Sequence, residues 1–469
     1  MSLKKGQEVE LEIIDAAFKG KGLAKVDGLA VFVPNTTPGD VVKARIIKKK
    51  KKHREAKVLE IITPSPHRIT PLCRHANVCG GCSWQHIPYQ KQLEYKSDQV
   101  RGHISRIGGL DENIVKPGIG AEEEFYYRNK MEYSFSTRRW LSEEEIQSDD
   151  FVDDSAFAAG LHAPGRFDKI LNLKECHLQK MESFRILDFV RNYCIKNNIS
   201  PYDTFTNEGF MRHLVIRNSF HTEDFMVNLV TNEDAPEIMK RLSEALLTEF
   251  PFITTIVNNV NDTKSPTAVG RYEKVIHGLG FIVDMIGEYT FKIHPNAFFQ
   301  TNTAQAERLY EVARNYAELE DGDIVYDLYC GVGTLSLFMS KPAKHVVGIE
   351  LVDVAVKNAR FNANENNVDN VSFIKGDMKE VFNEDVVKKF GAPDVLITDP
   401  PRAGMHPDVV ERLCELKVPR LVYVSCNSST MARDLKELSA VYDVLEVQPV
   451  DMFPQTYHIE AVAKLRLKK

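Results

Sequence analysis

The C-terminal third of the chain alternates short apolar runs with longer helix-like segments, and this alternation restricts the fold more than any other feature. The runs include Ile324–Leu328, His345–Ile349 and Arg420–Val424. Strands that alternate with helices pair in parallel, because each crossover helix returns the chain to the same end of the sheet. We therefore predict a parallel α/β domain over residues 291–469.

A glycine-rich turn follows the first of these strands. Residues 329–334 read Tyr-Cys-Gly-Val-Gly-Thr, and Glu350 ends the next strand, 23 residues after Asp327. A strand, a glycine turn and a later acid that reaches a ribose are typical of Rossmann-like cofactor domains. The third glycine of a pyrophosphate-binding turn is missing here. An adenosine cofactor without pyrophosphate, such as S-adenosylmethionine, fits better.

Reactive side chains stand at the ends of several of the predicted strands. Asp377, Asp399, Cys426 and Glu460 each come directly after a strand or begin one. Ligands of such sheets bind at the carboxyl ends of the strands. The pattern therefore predicts that these side chains line a common site.

The first 62 residues form a basic module with β patterning. They carry a net charge of +6, against −12 for the remainder of the chain. Short alternating segments separated by glycine and proline turns predict about five strands, which suits a small OB-like barrel. The run Lys48–Lys52 falls between the segments 41–47 and 56–62. It is either a solvated loop or an arm that contacts RNA phosphates.

Three cysteines follow the barrel at close spacing. Cys73, Cys79 and Cys82 lie in a glycine-rich segment, and Cys176 is a candidate for a fourth ligand. In a reducing compartment such a set favours a metal centre over disulfides. The spacing leaves an iron–sulfur cluster and a Cys₄ zinc site equally open, with unliganded buried thiols as the alternative.

The composition narrows the class of protein. The chain is 43% hydrophobic and 27% charged, as in ordinary globular proteins, and no apolar run is long enough to span a membrane. The first eight residues do not resemble a secretory signal. We expect a cytoplasmic protein without a membrane partner.

Several longer motifs together resemble the RNA uracil-C5 methyltransferase family. They are Phe298-Phe299-Gln300, the 327–333 turn, Asp399-Pro400-Pro401-Arg402, Val424–Asn427 and Phe453–Glu460. The pattern of residues 20–40 resembles a TRAM domain, an RNA-binding OB-like module. With the four cysteines, the resemblance extends to the iron–sulfur, TRAM-containing ribosomal RNA branch.

The resemblance implies three domains and a set of roles. The domains are a TRAM barrel at 1–62, a central α+β domain with a 4Fe-4S site at 63–290, and an S-adenosylmethionine-dependent methyltransferase domain at 291–469. Cys426 is the expected nucleophile and Glu460 the expected base. The expected cofactor contacts are Gln300, Tyr329, Thr334, Glu350, Asp377 and Asp399, and the expected cluster ligands are Cys73, Cys79, Cys82 and Cys176. Phe298 is either a stacking platform for RNA bases or a core residue.

The expected activity is methylation of a uridine in RNA, with large-subunit (23S) ribosomal RNA as the first expectation. The expected partner is RNA and not DNA, and the enzyme is expected to be a monomer. A tRNA uridine-54 methyltransferase and a non-catalytic zinc and RNA-binding protein remain alternatives. RNA 5-methylcytosine enzymes carry a cysteine directly after Asp-Pro-Pro, where this chain has Arg402, so that class is disfavoured. In the central domain, residues 128–130 and 138–139 are candidate phosphate contacts, and the acidic stretch 143–154 is interpreted as an exposed insertion.

Overall fold

The computed structural model describes residues 3–17, 19–148, 157–166, 168–378 and 384–469. Part of the acidic stretch, residues 149–154, lies outside the described residues, and its first part includes the short helix α2 (Glu143–Gln147). Among the described helices, none is both long and apolar enough to cross a membrane.

The N-terminal residues fold into a six-stranded sheet. Its strands are β1 (Glu8–Glu12), β2 (Asp15–Ala17), β3 (Lys21–Val26), β4 (Leu29–Val33), β5 (Val41–Lys49) and β6 (His53–Thr63), in the order β1-β5-β6-β4-β3-β2. The described part of the module therefore has six strands rather than the five predicted, because the short β2 carries no alternation that a sequence pattern reveals. Alternate residues such as Val31, Val42 and Ala44 face a common buried core.

The lysine run Lys48–Lys52 covers the end of one strand and the tight turn that follows it. Lys48 and Lys49 belong to β5, and the backbone N–H of Lys50 donates to the carbonyl of His53 at 3.0 Å. All five lysines are exposed. Arg54, by contrast, is buried and donates to the carbonyls of Leu3 and Lys50, so it supports the turn.

The central residues form a mixed sheet with two helices packed against it. Its strands are β7 (Lys130–Ser136), β8 (Ala158–His162), β9 (Ile170–Asn172), β10 (Met211–Asn218), β11 (Phe225–Thr231), β12 (Thr255–Val260) and β13 (Tyr272–His277), in the order β13-β12-β11-β10-β7-β8-β9. The helices are α3 (Met181–Lys196) and α4 (Pro236–Glu249).

One helix of the central range packs elsewhere. Helix α1 (Tyr89–Arg106), followed by a 3-10 helix at Glu112–Ile114, places Val100 and Ile104 in the core of the C-terminal domain. The segment after it pairs with the strand at Tyr442–Val450, through bridges of Val115 with Val447 and of Ile119 with Val450. The chain thus crosses to the C-terminal domain before it builds the central sheet.

The C-terminal domain begins with a hairpin of β14 (Ile282–Ile286) and β15 (Tyr289–Ile293), whose buried residues join the core of the following sheet. That sheet contains β16 (Ile324–Leu328), β17 (His345–Glu350), β18 (Val371–Lys375), β19 (Val395–Thr398), β20 (Arg420–Ser425), β21 (Tyr442–Val450) and β22 (Glu460–Leu467). The helices are α5 (Thr303–Ala317), α6 (Thr334–Ser340), α7 (Asp353–Glu365), α8 (Glu384–Phe390), α9 (Pro407–Leu416) and α10 (Ser428–Leu438).

The strand order is β18-β17-β16-β19-β20-β22-β21, with the first five strands parallel. Strand β22 runs antiparallel to β20, and Ala461 lies opposite Ser425. An antiparallel strand starts where its neighbour ends. The first residue of β22, Glu460, therefore lies at the same sheet edge as Cys426, which follows β20.

Candidate active site

Three of the predicted catalytic and cofactor residues meet at the carboxyl edge of the C-terminal sheet. Asp399 follows β19, Cys426 follows β20, and Glu460 begins β22. The charge of each carboxylate acts on the pKa of the Cys426 thiol. The sequence prediction that these strand-end residues share one site agrees with this geometry.

A cavity of about 280 Å³ opens in front of the thiol. It is lined by Lys19, Gln99, Arg402, Cys426, Asn427, Ser428, Tyr457, His458 and Ile459. The lining combines the Asp-Pro-Pro-Arg turn, the Ser-Cys-Asn turn and the segment before Glu460. It also includes one residue from the N-terminal barrel and one from α1, which no local sequence pattern connects to the thiol.

Opposing influences act on the Cys426 thiol. Burial raises its pKa, and the nearby charges of Glu460 and Asp399 raise it further, while the Arg402 guanidinium lowers it through a hydrogen bond and its charge. Arg402 therefore favours the thiolate, which is the nucleophilic form of cysteine. In the sequence, Arg402 completes one of the family motifs and disfavours another enzyme class, but it was given no role at the site, although its place directly after the Asp-Pro-Pro elbow marks it as a site residue.

The two carboxyl groups are held near their neutral forms. Burial raises the pKa of Glu460 to about 8, with a smaller effect of Asp399 in the same direction and of Arg402 in the opposite one. Burial also raises the pKa of Asp399 to about 7. A carboxyl group whose pKa lies near neutral pH is suited to proton transfer.

His458 lines the same cavity as a neutral side chain. Burial lowers its pKa to about 4, and the charges of Arg402, Lys96 and Arg128 act in the same direction. At neutral pH its imidazole therefore adds no charge beside Cys426. The positive charge on the cavity lining comes from Arg402 and Lys19.

The glycine-rich turn has the shape of a cofactor cradle. Tyr329, Gly331 and Gly333 adopt left-handed backbone conformations, with φ of 64°, 55° and 81°. The space where a Cβ of Gly331 would stand is empty to 4 Å. Glu350 accepts a hydrogen bond from the Gly331 N–H at 3.1 Å, so the predicted ribose-binding acid lies against this turn.

The other predicted cofactor residues surround the same turn. The charge of Asp377 acts on Tyr329, whose pKa burial raises to about 12. Thr334 begins α6, and its hydroxyl lies 3.1 Å from that of Tyr310. Burial raises the pKa of Tyr310, and the negative charges of Asp399 and Glu460 raise it further. A hydrogen bond with Gln300 acts in the opposite direction. Tyr310 therefore lies near Thr334 and Gln300 as well as the carboxyl groups of Asp399 and Glu460.

Asp327 belongs to the turn motif, and the structure gives it a more specific place. Its Oδ2 accepts a hydrogen bond from Ser336 at 2.5 Å, while Oδ1 is buried with no hydrogen-bond partner among the described residues. Burial raises its pKa to about 7. An orphaned buried acceptor beneath an open glycine turn fits a site that a polar ligand completes.

The four predicted cluster cysteines lie close enough to influence one another. Burial raises the pKa of Cys73 to about 11 and those of Cys79 and Cys82 to about 12, and it raises that of Cys176 as well. Three of the sulfurs accept hydrogen bonds, from the N–H groups of His75 and Gly81 and from the Gln85 amide. Within the described ranges, no group of three or more His, Cys, Asp or Glu side chains is arranged to hold a metal ion.

Two expectations for RNA contacts change. Asn129, in the predicted phosphate-binding segment 128–130, is buried and donates to the carbonyl of Gln300 at 2.7 Å. It positions the Gln300 segment, so the phosphate assignment is wrong for this residue. Phe298 is 70% exposed while Phe299 is buried, which excludes the core alternative for Phe298.

Comparison with known proteins decides the family. The family described as tRNA (Uracil-5-)-methyltransferase matches residues 282–468, and the TRAM domain matches residues 2–59. An RNA methyltransferase of Chlorobaculum tepidum is 41% identical over 465 residues, which cover 98% of this chain and 96% of the relative. The chain belongs to the RNA uracil-C5 methyltransferase family.

The family membership makes the chain an S-adenosylmethionine-dependent RNA (uracil-5-)-methyltransferase. A second RNA methyltransferase, from Bacteroides thetaiotaomicron, is 42% identical over 96% of this chain and 100% of its own length. The expected TRAM module and methyltransferase fold are therefore confirmed.

A solved structure extends the comparison to three dimensions. The tRNA (uracil-54, C5)-methyltransferase of Pyrococcus abyssi, solved with S-adenosyl-L-homocysteine, is 30% identical, with a TM-score of 0.76 over 97% of this chain and 100% of its own. The full-length architecture thus occurs in an enzyme described as acting on tRNA.

Proposed function

We propose that this methyltransferase modifies C5 of a uridine through a covalent bond between Cys426 and C6 of the base. The observation that carries the proposal is the pairing of β20 with β22, which brings Cys426 and Glu460 together at one edge of the sheet. Arg402 lines the same cavity as Cys426 and hydrogen-bonds its thiol.

The chemistry of uracil explains why a thiol and a base are both needed. C5 of uracil is a weak nucleophile, and addition of the Cys426 thiolate to C6 makes it an enolate carbon that attacks an electrophilic methyl group. S-adenosylmethionine supplies that methyl group when bound. Arg402 favours the attacking form of Cys426, because its guanidinium lowers the pKa of the thiol.

Glu460 completes the reaction. After methylation C5 still carries its proton, and Glu460 removes it so that the electron pair re-forms the C5–C6 double bond and expels the Cys426 thiolate. Its pKa of about 8 makes it basic enough to accept a proton from carbon while a fraction is ionised at neutral pH. The cavity in front of Cys426 is large enough for a nucleobase turned out of its stack, as enzymes acting on bases require.

The cofactor residues proposed from the sequence keep their roles in this mechanism. They are Gln300, Tyr329, Thr334, Glu350, Asp377 and Asp399. Support comes from the open turn at Gly331, the contact of Glu350 with it, and the orphaned Oδ1 of Asp327, which we add to the set. Glu350 is proposed to bind the ribose hydroxyls of the cofactor.

We further propose a 4Fe-4S cluster on Cys73, Cys79, Cys82 and Cys176. The support is the donor chemistry: four cysteines in one neighbourhood, with N–H donors directed at three of the sulfurs, as hydrogen bonds to sulfur occur in iron–sulfur sites. The methyl transfer involves no electron, so the cluster's role is structural. The enzyme is proposed to act as a cytoplasmic monomer.

Large-subunit (23S) ribosomal RNA is the proposed substrate, and tRNA uridine-54 is the second candidate because the Pyrococcus enzyme is described as acting there. The test is to map 5-methyluridine in ribosomal RNA and tRNA from cells with and without the gene. Loss of a modified position in 23S ribosomal RNA is expected. Loss confined to tRNA selects the second candidate, and no loss in any RNA contradicts the proposed function.

A further inference from the structure

The turn between β2 and β3 of the N-terminal barrel reaches into the catalytic cavity. Lys19 belongs to this turn, is exposed, and lines the cavity together with Cys426 and Arg402. More than 400 positions separate Lys19 from Cys426 along the chain. The barrel thus contributes directly to the wall of the catalytic cavity, in addition to the exposed lysine run on its β5–β6 turn.

The turn is fixed in this position by close contacts. The indole N–H of the buried Trp84 donates to the carbonyl of Gly20 at 3.1 Å. A Cβ on Gly20, whose φ is 72°, would stand 3.0 Å from Cδ1 of Tyr457, which lines the cavity as well. Gly20 therefore allows the barrel backbone to approach the segment before Glu460 closely, and Lys19 is held at the wall of the cavity that Cys426 also lines.

Lys19 itself has an unfavourable backbone conformation. Its φ is 69°, in the left-handed region that glycine and asparagine adopt most easily. A glycine would satisfy this turn with less strain. A strained side-chain-bearing residue at the wall of an active site is typical of a position kept for its side chain.

The charges around the cavity indicate what Lys19 binds. Lys19 and Arg402 bring positive charge to the lining, and His458 is neutral because burial lowers its pKa to about 4. A nucleotide placed over Cys426 carries backbone phosphates on both sides of its ribose. An exposed ammonium group on the lining matches such a phosphate in charge, and phosphate contacts position an RNA without reading its sequence.

We propose that Lys19 binds the RNA phosphate adjacent to the uridine that enters the catalytic cavity, so that the TRAM barrel positions the target nucleotide as well as the distant RNA. The inference rests on the proposed function. It assigns Lys19 a task different from that of Lys48–Lys52, which we place on more distant phosphates.

The experiment compares K19Q with K25Q in the full-length enzyme. Lys25 is exposed on β3 of the same barrel and does not line the cavity, so both variants make the same charge change. The substrates are the unmodified RNA and a short oligonucleotide with the target uridine. We expect K19Q to lower kcat/KM about tenfold or more on both, as removal of a charge-assisted hydrogen bond does. The slope of log kcat/KM on log salt should flatten by about 0.7. K25Q should change neither quantity.

Two further variants separate the charge from the fold. K19R keeps the charge and should restore most of the activity, while K19G removes the side chain and relieves the backbone strain. K19G should reproduce the K19Q defect with an unfolding temperature no lower than that of the wild type. S-adenosylhomocysteine affinity should be unchanged in all variants, because the cavity that Lys19 lines contains none of the proposed cofactor residues.

The results distinguish a failure of the Lys19 inference from a failure of the proposed uridine methylation. If the wild type forms 5-methyluridine and K19Q behaves like K25Q, the inference is wrong and the proposed function stands. A K19Q defect that disappears on the short oligonucleotide places Lys19 on distant RNA and also overturns it, as does a K19R variant as defective as K19Q. If the wild type forms 5-methyluridine in no RNA, the proposed function and the inference fall together.

Discussion

Replacing Glu460 by glutamine should stabilise the protein while it stops turnover. The carboxyl group of Glu460 is buried, and its pKa is raised from an ordinary 4.5 to about 8. Between these two values the unfolded chain has released the proton and the folded chain still holds it. The unfolded state binds fewer protons in this interval, so its stability relative to the folded state increases as pH rises. Glu460 therefore destabilises the fold progressively between pH 4.5 and pH 8.

The magnitude follows from the width of that interval. Each pH unit in this interval lowers the free energy of unfolding by about 1.4 kcal/mol. Compared with low pH, where Glu460 is protonated in both states, the wild type is less stable by about 3 kcal/mol at pH 7 and by less than about 1 kcal/mol at pH 5. Glutamine has no proton to lose. E460Q should therefore be more stable than the wild type at pH 7 by up to about 3 kcal/mol, and only slightly more stable at pH 5.

The assay is denaturant unfolding of both proteins at pH 5, 6, 7 and 8, followed by the signal of the C-terminal domain. The matched control is E411Q, which makes the same change at an exposed position on α9 and should alter stability by no more than a few tenths of a kcal/mol. A stability difference between E460Q and wild type that does not grow with pH would refute the reasoning. Glu460 would then be ionised throughout and would not be held as a base near neutrality.

Three other predictions concern the site and the surface. R402Q should raise the pH at which iodoacetamide alkylates Cys426, because it removes the cation that lowers the pKa of the thiol. The control R412Q, on α9, should leave this pH unchanged. Equal pH profiles for the two variants would contradict the role of Arg402. Changing all of Lys48–Lys52 to glutamine should flatten the salt dependence of RNA binding, by about 0.7 in the log–log slope for each phosphate that the run binds; an unchanged slope would mean that the run is only solvated. Protein purified without oxygen should be brown, and C176A should lose that colour and its iron; colourless wild-type protein with one zinc ion would contradict the cluster.

The strand ends of the C-terminal domain were predictable because their signals are local. An apolar run followed by a glycine turn or by Asp-Pro-Pro marks both the strand and the point where it ends. Parallel strands end at one edge, which is why Asp399 and Cys426 were placed together correctly. Glu460 begins an antiparallel strand. The strand-end pattern grouped it with Cys426, but its role as the base came from family resemblance, and periodicity does not reveal strand direction.

Other parts of the site depend on contacts between distant segments. Lys19, Gln99 and Tyr310 carry no motif, and they join the site because the barrel, α1 and α5 dock around one sheet edge. The buried pair Lys96–Asp451, with Nζ 2.7 Å from both carboxylate oxygens, similarly fixes α1 to the segment before Glu460. Asn129 was misassigned because a polar residue between two basic residues looks exposed, and only the fold shows that it is buried.

The covalent mechanism requires that Cys426 forms a bond with uridine C6 and that Glu460 later allows this bond to break. The most direct test is to incubate wild type, C426A and E460Q with RNA and a methyl-labelled donor and to run a denaturing gel. E460Q should accumulate a covalent protein–RNA species that carries the labelled methyl, because the loss of a general base slows its step by about 10²–10⁴-fold. C426A should form neither the species nor 5-methyluridine. Normal turnover by E460Q, or 5-methyluridine made by C426A, would contradict the mechanism.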